Sequence, residues 1–316
     1  MSDSGRQINY QTRPAKCVER KILCELLEKF NTPIPIHNYR YIGFGSFYFS
    51  DFVLFHNTLH MNNMISIEKS ENKDRYLFNN PYKCISLLFC DAEEALLKTI
   101  DFSETSTKDF IWLDYDANFQ ESMVRDIINA SHRVNSGSFI FLTFNPSIPK
   151  DEEENRLPFL RANFEEYLPK ISEKDITSES IPRIIYSIVD SAVQKAIYTR
   201  NIIESDPISA HSIFFIKYKD GAVMLTVGYY YANEKDWDLV KDHLQEIPWT
   251  TTAGVPRSLT IPNLTRSEIR ELNKCLPGDA AESIHSRVPF LSISDIEKYS
   301  EVYKYYPNFS DSPFYT

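Results

Sequence analysis

Two apolar runs in this sequence end on groups suited to holding a nucleoside. Tyr39-Arg-Tyr-Ile-Gly-Phe-Gly-Ser46 closes on Gly43, Gly45 and Ser46. About twenty residues on, Met64-Ile-Ser-Ile-Glu68 closes on a carboxylate, placed to accept hydrogen bonds from a ribose diol. Glycine is scarce, 8 in 316 residues, so a pair in one short segment marks a tight turn that lets another group approach the backbone. The amphipathic stretch that follows reads as a helix, whose N-terminus favours negative charge.

A second constellation follows further on. In Trp112-Leu-Asp-Tyr-Asp116, Asp114 and Asp116 end a wholly apolar run, and Asn145 ends another. Two carboxylates and an amide oxygen are hard ligands that suit Mg²⁺ or Ca²⁺. The plainer alternative is that Asp116 caps the next helix and Asn145 begins a turn with Pro146. A third set, Arg13, Lys16 and Arg20, falls three and four residues apart on one helical face, tempered by Glu19. It suits contact with a phosphate or carboxylate of a substrate, and it equally suits a solvated, charged helix edge. His56 and His60 are four apart, a spacing that packing explains as well as ligation. The sequence has no Gly-x-Ser-x-Gly elbow, Walker loop, His-Glu-x-x-His or Cys-x-x-Cys.

The elements that must carry these residues alternate. Helical periodicity covers residues 14–30, 46–59, 72–79, 92–100, 119–134 and 181–203, and Asp91 stands as the N-cap of the fourth. Strands are predicted at 39–44, 63–69, 84–90, 110–114 and 138–145. Two further strands, 213–218 and 223–229, flank Asp220-Gly221, a strong hairpin signal. Strand–helix alternation implies a parallel sheet with right-handed crossovers, to which the hairpin adds an antiparallel strand. The expected fold is α/β, Rossmann-like, with a mostly parallel seven-stranded sheet. It is preceded by a helical segment (1–35), interrupted by an insertion (146–180) that can cover a ligand site, and followed by an extension (235–316). In the extension, Thr265 and Glu268 form a capping box, and the tyrosine-rich stretch 299–307 is expected to pack on the α/β body at 36–234.

Composition narrows the function. With 34 Lys and Arg against 44 Asp and Glu, the net charge of −10 disfavours wrapping a nucleic-acid backbone. No apolar run reaches the roughly 20 residues of a membrane span, and no secretory h-region is visible. Five dispersed cysteines fit a reducing compartment, so a cytoplasmic protein is expected.

The order of five strand–helix units and a hairpin resembles the class I S-adenosylmethionine-dependent methyltransferases. Arg13-Pro-Ala-Lys-x-x-Glu-Arg-Lys21, the 39–46 and 64–68 motifs, Phe49-Ser-Asp-Phe, Arg75-Tyr-x-Phe-Asn79, Ile111-Trp-Leu-Asp-Tyr-Asp116, Gly137-Ser-Phe, Pro262-Asn-Leu-Thr265 and Tyr305-Tyr-Pro are similar to an uncharacterised O-methyltransferase family. The resemblance spans nearly the whole chain. It implies S-adenosylmethionine as cofactor, with Mg²⁺ as an option. Gly43, Gly45 and Ser46 would pass under its methionine part, Glu68 would hold the ribose and Asp91 the adenine amino group. Asp114, Asp116 and Asn145 would face the reacting methyl, and Arg13, Lys16 and Arg20 the acceptor, a small molecule or a macromolecule. The wider class reads acid-x-Gly-x-Gly-x-Gly where this chain has Tyr41 and Phe47 at the acid and third glycine positions. That departure supports an alternative: a non-catalytic scaffold that binds a nucleotide-like ligand or a protein partner, as in a multi-component antiviral system. Nucleic-acid 2′-O-methylation stands third, against the net charge.

Overall fold

The computed structural model describes residues 13–30, 35–148, 156–251 and 254–307. The chain enters through α1 (Pro14–Phe30) and then alternates: β1 (Arg40–Gly43), α2 (Ser50–Leu59), β2 (Asn63–Ile67), α3 (Lys73–Asn79), β3 (Ile85–Leu88), α4 (Ala92–Glu94), β4 (Asp109–Asn118), α5 (Glu121–Arg133) and β5 (Ser138–Asn145). After α6 (Arg156–Phe164) and α7 (Ile181–Asn201) comes the hairpin of β6 (Ser209–Asp220) and β7 (Ala222–Ala232). The extension carries α8 (Glu234–Val240), β8 (Arg257–Leu259), α9 (Arg266–Asn273), α10 (Ala281–Arg287) and α11 (Ile293–Val302).

The strands form one sheet in the order β3-β2-β1-β4-β5-β7-β6-β8. β1 to β5 are parallel, and β7 enters antiparallel between β5 and β6. This is the α/β architecture expected from the alternation, with one difference. The sheet has eight strands among the described residues, because the three-residue β8 adds parallel to β6. A run that short carries no periodicity to read. β4 also runs past Asp114: after an irregularity its pairing resumes at Asn118↔Asn145. The helix expected over 92–100 is one α-turn continued as a π-helix, Ala95–Thr99.

Alternation along the strands sorts the core onto two faces. Phe110, Trp112, Phe139, Phe141 and Tyr230 face α1 and α2, whereas Ile111, Leu113, Ile140, Leu142 and Tyr231 face α5 and α7. α1 crosses the first face from end to end. Its Phe30 meets Phe139 edge-on, with ring centroids 4.9 Å apart. At its other end the Asp220 carboxylate accepts from the Ala15 and Lys16 N–H groups at 3.1 and 2.8 Å. The hairpin turn thus caps the N-terminus of α1 from 204 and 205 residues away. Asp220→Ala is expected to lower stability by about 1–2 kcal/mol in urea titration. An unchanged midpoint would show that the cap contributes nothing.

The 299–307 stretch lies against α1: Lys21 Nζ donates to the Tyr305 carbonyl at 3.0 Å, and the Tyr305 hydroxyl donates to Glu25. The insertion's helix α6 packs on the opposite face, where Phe164 stacks on Phe119 at 4.9 Å. Thr265 and Glu268 make the capping box that starts α9. Among the described residues no helix is long and apolar enough to cross a membrane.

Candidate functional site

In an open parallel sheet, ligands bind beyond the carboxyl ends of the strands, where the strand order reverses. Here that point lies between β1 and β4, both paired to their neighbours through Gly43: Gly43↔Ser66 on one side, Gly43↔Trp112 on the other. Glu68 and Asp114 each lie two residues beyond those rungs. They therefore flank the 43–46 turn, about two strand spacings or 10 Å apart.

The turn is held by Glu68. Its Oε1 accepts from the Gly45 N–H at 2.8 Å and from Ser66 Oγ at 2.6 Å. A hydrogen bond from Tyr76 adds to these. Phe47 lies against Tyr76 with centroids 4.5 Å apart, and the Arg75 guanidinium lies 3.9 Å from the Phe47 ring. Glu68 is therefore a buried acid, 4% exposed. Burial pushes its pKa up to about 8, against the opposing pull of the bonds from Ser66, Gly45 and Tyr76.

Gly43 and Gly45 are needed by the chain's own packing. A Cβ on Gly45 would sit 2.5 Å from the Phe49 ring and 2.6 Å from Ser66 Oγ, and one on Gly43 would meet the Tyr41 hydroxyl. Ser46 (φ 49°) and Phe49 (φ 46°) are left-handed, uncommon for residues with a side chain. Phe49 is held there by complete burial and by its N–H bond to the Gly45 carbonyl at 2.7 Å. Of the turn's residues, Phe44 and Ser46 stay half exposed. The Phe44 ring lies 5.1 Å from Tyr115, whose hydroxyl donates to Asp126 at 2.6 Å.

On the other flank Asp114 joins a buried polar network. Lys16 Nζ donates to Asp114 Oδ1 at 2.6 Å, to Glu19 Oε2 at 2.7 Å and to the Tyr218 hydroxyl at 3.2 Å. It also lies 4.4 Å from the Trp112 ring centroid and 5.7 Å from that of Tyr218. The network continues inward. Thr226 donates to Glu19, Thr226 and Thr143 share a hydrogen bond at 2.7 Å, and Trp112 Nε1 donates to Thr143 at 2.9 Å. Burial raises the pKa of Glu19, opposed first by the Lys16 charge. Within the ion-paired trio, the Glu19 side chain is 0% exposed, Lys16 5% and Asp114 21%, so the trio opens outward through Asp114.

The solvated helix edge considered for Arg13, Lys16 and Arg20 is therefore corrected. Lys16 and Arg20 are 4% and 7% exposed, and Arg20 opposes the burial-driven rise of the Asp51 pKa. Arg13 is half buried just ahead of α1. Asp91 serves as the cap of α4, its Oδ1 accepting from the Glu94 N–H at 2.9 Å, and it is otherwise exposed. Asp116 is exposed beyond Asp114, and Asn145 Oδ1 accepts from the Ser147 N–H at 2.9 Å, the turn geometry anticipated with Pro146. Two oxygens that a metal would need, on Asp114 and Asn145, are thus already engaged. Among the described residues no three His, Cys, Asp or Glu side chains converge as metal ligands would. His56 bonds the Met61 carbonyl at 2.9 Å and lies against Tyr82, consistent with packing. Sequence reasoning missed Ser66, Tyr76, Tyr218, Thr143 and Thr226. Only Glu19 carried a local signal, three residues after Lys16.

The chain matches one protein-family model over residues 8–314, described as "Putative O-methyltransferase". No curated protein matches it. Solved structures resemble it at low identity. Trm1 from Pyrococcus horikoshii, in complex with S-adenosyl-L-methionine, is 11% identical with a TM-score of 0.47, covering 91% of this chain and 75% of that one. The fibrillarin pre-rRNA processing protein of Methanococcus jannaschii is 9% identical with a TM-score of 0.38, over 64% and 70% of the two chains. The O-methyltransferase TomG from Streptomyces achromogenes is 11% identical with a TM-score of 0.34, over 66% and 80%.

Proposed function

This chain belongs to the family described as "Putative O-methyltransferase", and we propose that it transfers a methyl group from S-adenosylmethionine to an oxygen of its acceptor. The observation that carries this reading is the placement of Glu68 and Asp114 on the two sides of the 43–46 turn, where the strand order reverses.

The donor set suits the nucleoside half of such a cofactor. An ionised carboxylate accepts both hydroxyls of a vicinal diol, and Glu68 already accepts hydroxyl donors from Ser66 and Tyr76. The Tyr76 hydroxyl stands where a ribose hydroxyl would compete. Phe44 and Tyr115, in contact with each other, offer an apolar edge at the same end of the sheet. Asp91 caps α4 through Oδ1, and its Oδ2, exposed and 3.7 Å from Lys69 Nζ, is the oxygen that would meet an exocyclic amine.

Bound there, the cofactor supplies an electrophilic methyl group. The protein's part is to hold the acceptor in line and to take its proton. Asp114 is the member of the ion-paired trio that reaches the crevice. Its carboxylate accepts the acceptor hydroxyl's proton, while Lys16 on Oδ1 and Glu19 behind Lys16 fix its orientation. Lys16 and Arg20 act from beneath this site rather than from a solvated surface.

The test is calorimetric titration of the full chain with S-adenosylhomocysteine. Saturable binding supports the cofactor site. Its absence in folded protein would favour the non-catalytic scaffold, a reading encouraged by the near-complete burial of Glu68. Asp114→Asn is expected to keep that binding and to lower methyl transfer from labelled S-adenosylmethionine into a metabolite extract by about 10²-fold or more. Equal transfer by the variant would remove Asp114 from the chemistry.

A further inference from the structure

The carboxyl edge of the sheet continues past Asp114. Because β7 is antiparallel to both its neighbours, β6 runs parallel to β5, and its last residue, Asp220, reaches the same edge as Asp114. β8 is parallel to β6 and ends there too. Over these two strand ends lies an open groove of about 1180 Å³, walled by Pro14 at the start of α1, by Asp220 and Leu259, and by α9. Lys219, Arg266 and Arg270 line it, all three exposed. Arg266 and Arg270 are four residues apart on α9, on one face of the helix.

The local charge balance differs from that of the whole chain. Both carboxylate oxygens of Asp220 accept from the N-terminus of α1. On α9, Glu268 accepts from the Thr265 N–H and Glu271 pairs with Lys274. Each of these acids is engaged elsewhere. Among the described residues none of the three cations forms an ion pair or a side-chain hydrogen bond. A protein of net charge −10 thus carries a concave site in which, among the described residues, three cations outnumber the one lining carboxylate, Asp220.

We infer that this groove binds the phosphoester portion of the acceptor, an assignment that rests on the methyltransferase reading above. Two arginine forks and an ammonium match the several negative oxygens of a phosphate ester. With Asp220 counted in the groove wall, a single carboxylate would still leave part of the positive excess unmatched. β6 lies three strand positions from β4, about 14 Å, so a ligand seated in the groove reaches Asp114 only if it is extended. The acceptor is therefore an elongated molecule, anionic at one end and bearing a hydroxyl at the other. Lys16 links the two regions, its backbone N–H bonded to Asp220 and its side chain to Asp114.

The test uses the full chain and two probes without an adenosyl group: inorganic tripolyphosphate, followed by calorimetry, and a fluorescein-labelled single-stranded oligouridylate of about 10 nucleotides, followed by anisotropy. At least one should bind at low salt, and binding should weaken as salt rises. The Arg266→Glu/Arg270→Glu double variant should lose more than about tenfold in affinity at an unchanged unfolding midpoint. Lys98→Glu, exposed on the π-helix that follows α4, should change it by less than about twofold. Binding of tripolyphosphate identifies a small phosphorylated acceptor, and binding of the oligonucleotide alone a polymer. The inference is overturned if neither probe binds, or if Lys98→Glu loses as much as the double variant. S-adenosylhomocysteine is titrated into the same samples. Its binding without either probe leaves the methyltransferase reading and removes the groove. Probe binding without it leaves an anion site and removes its assignment to an acceptor.

Discussion

Replacing Lys16 with methionine is expected to destabilise the protein by about 3–5 kcal/mol, the range found when one partner of a buried ion pair is removed. The variant leaves Glu19, fully buried, beside Asp114 with no ammonium between them. Burial already raises the Glu19 pKa despite Lys16, and the Asp114 charge raises it further. The sign with pH follows. A carboxyl whose folded pKa exceeds its unfolded value contributes stability that is fully present below the unfolded value and is lost as pH rises through the folded one. Losing Lys16 strengthens that behaviour, so the destabilisation should be smallest near pH 4.5 and grow toward pH 8, in urea titrations at both. The double variant Lys16→Met/Glu19→Gln removes the unpaired charge and keeps an oxygen that can accept from Thr226, so it should recover most of the loss. If Lys16→Met unfolds within about 0.5 kcal/mol of the parent at pH 8, the network contributes little and α1 is held by its apolar face alone.

Glu68→Gln is expected to separate folding from ligand binding. With its pKa pushed up to about 8 by burial, Glu68 is largely protonated at neutral pH in the free protein. The stability this provides is present below about pH 4.5 and is lost as pH rises through about 8, an effect on the order of a few kcal/mol. Glutamine mimics the neutral carboxyl. The variant should match the parent at low pH and exceed it above pH 8, with a flatter profile between. A diol, in contrast, needs two acceptor oxygens, and the amide offers one. S-adenosylhomocysteine affinity should therefore fall by roughly 30-fold, the equivalent of about 2 kcal/mol for a hydrogen bond to a charged group. Parent affinity should rise with pH as the carboxylate ionises. Unchanged affinity in Glu68→Gln would falsify the ribose role and leave Glu68 as a clamp on the turn.

The course of the chain was legible in the sequence because its signals are local. A short apolar run marked 138–145 from end to end, a helical period marked 14–30, and Asp220-Gly221 marked the hairpin that places β7 antiparallel between β5 and β6. The motif residues Gly45 and Glu68 were found for the same reason, each closing an apolar run. What they do was decided by neighbours distant in sequence. Glu68 became a buried group because Ser66 and Tyr76 bond it and Phe47 packs over Tyr76. The charged face of α1 reads as solvated on its own helix. It is buried because Asp114 meets Lys16 from 98 residues away and Thr226 meets Glu19 from 207. β8 has too few residues for a pattern, and only the free edge of β6 makes it a strand. Periodicity and turn chemistry depend on the nearest few residues, so the sequence determined the elements and their order. Burial, pKa and the pairing of charges depend on which elements share a face of the sheet, and that was decided only when the chain closed on itself.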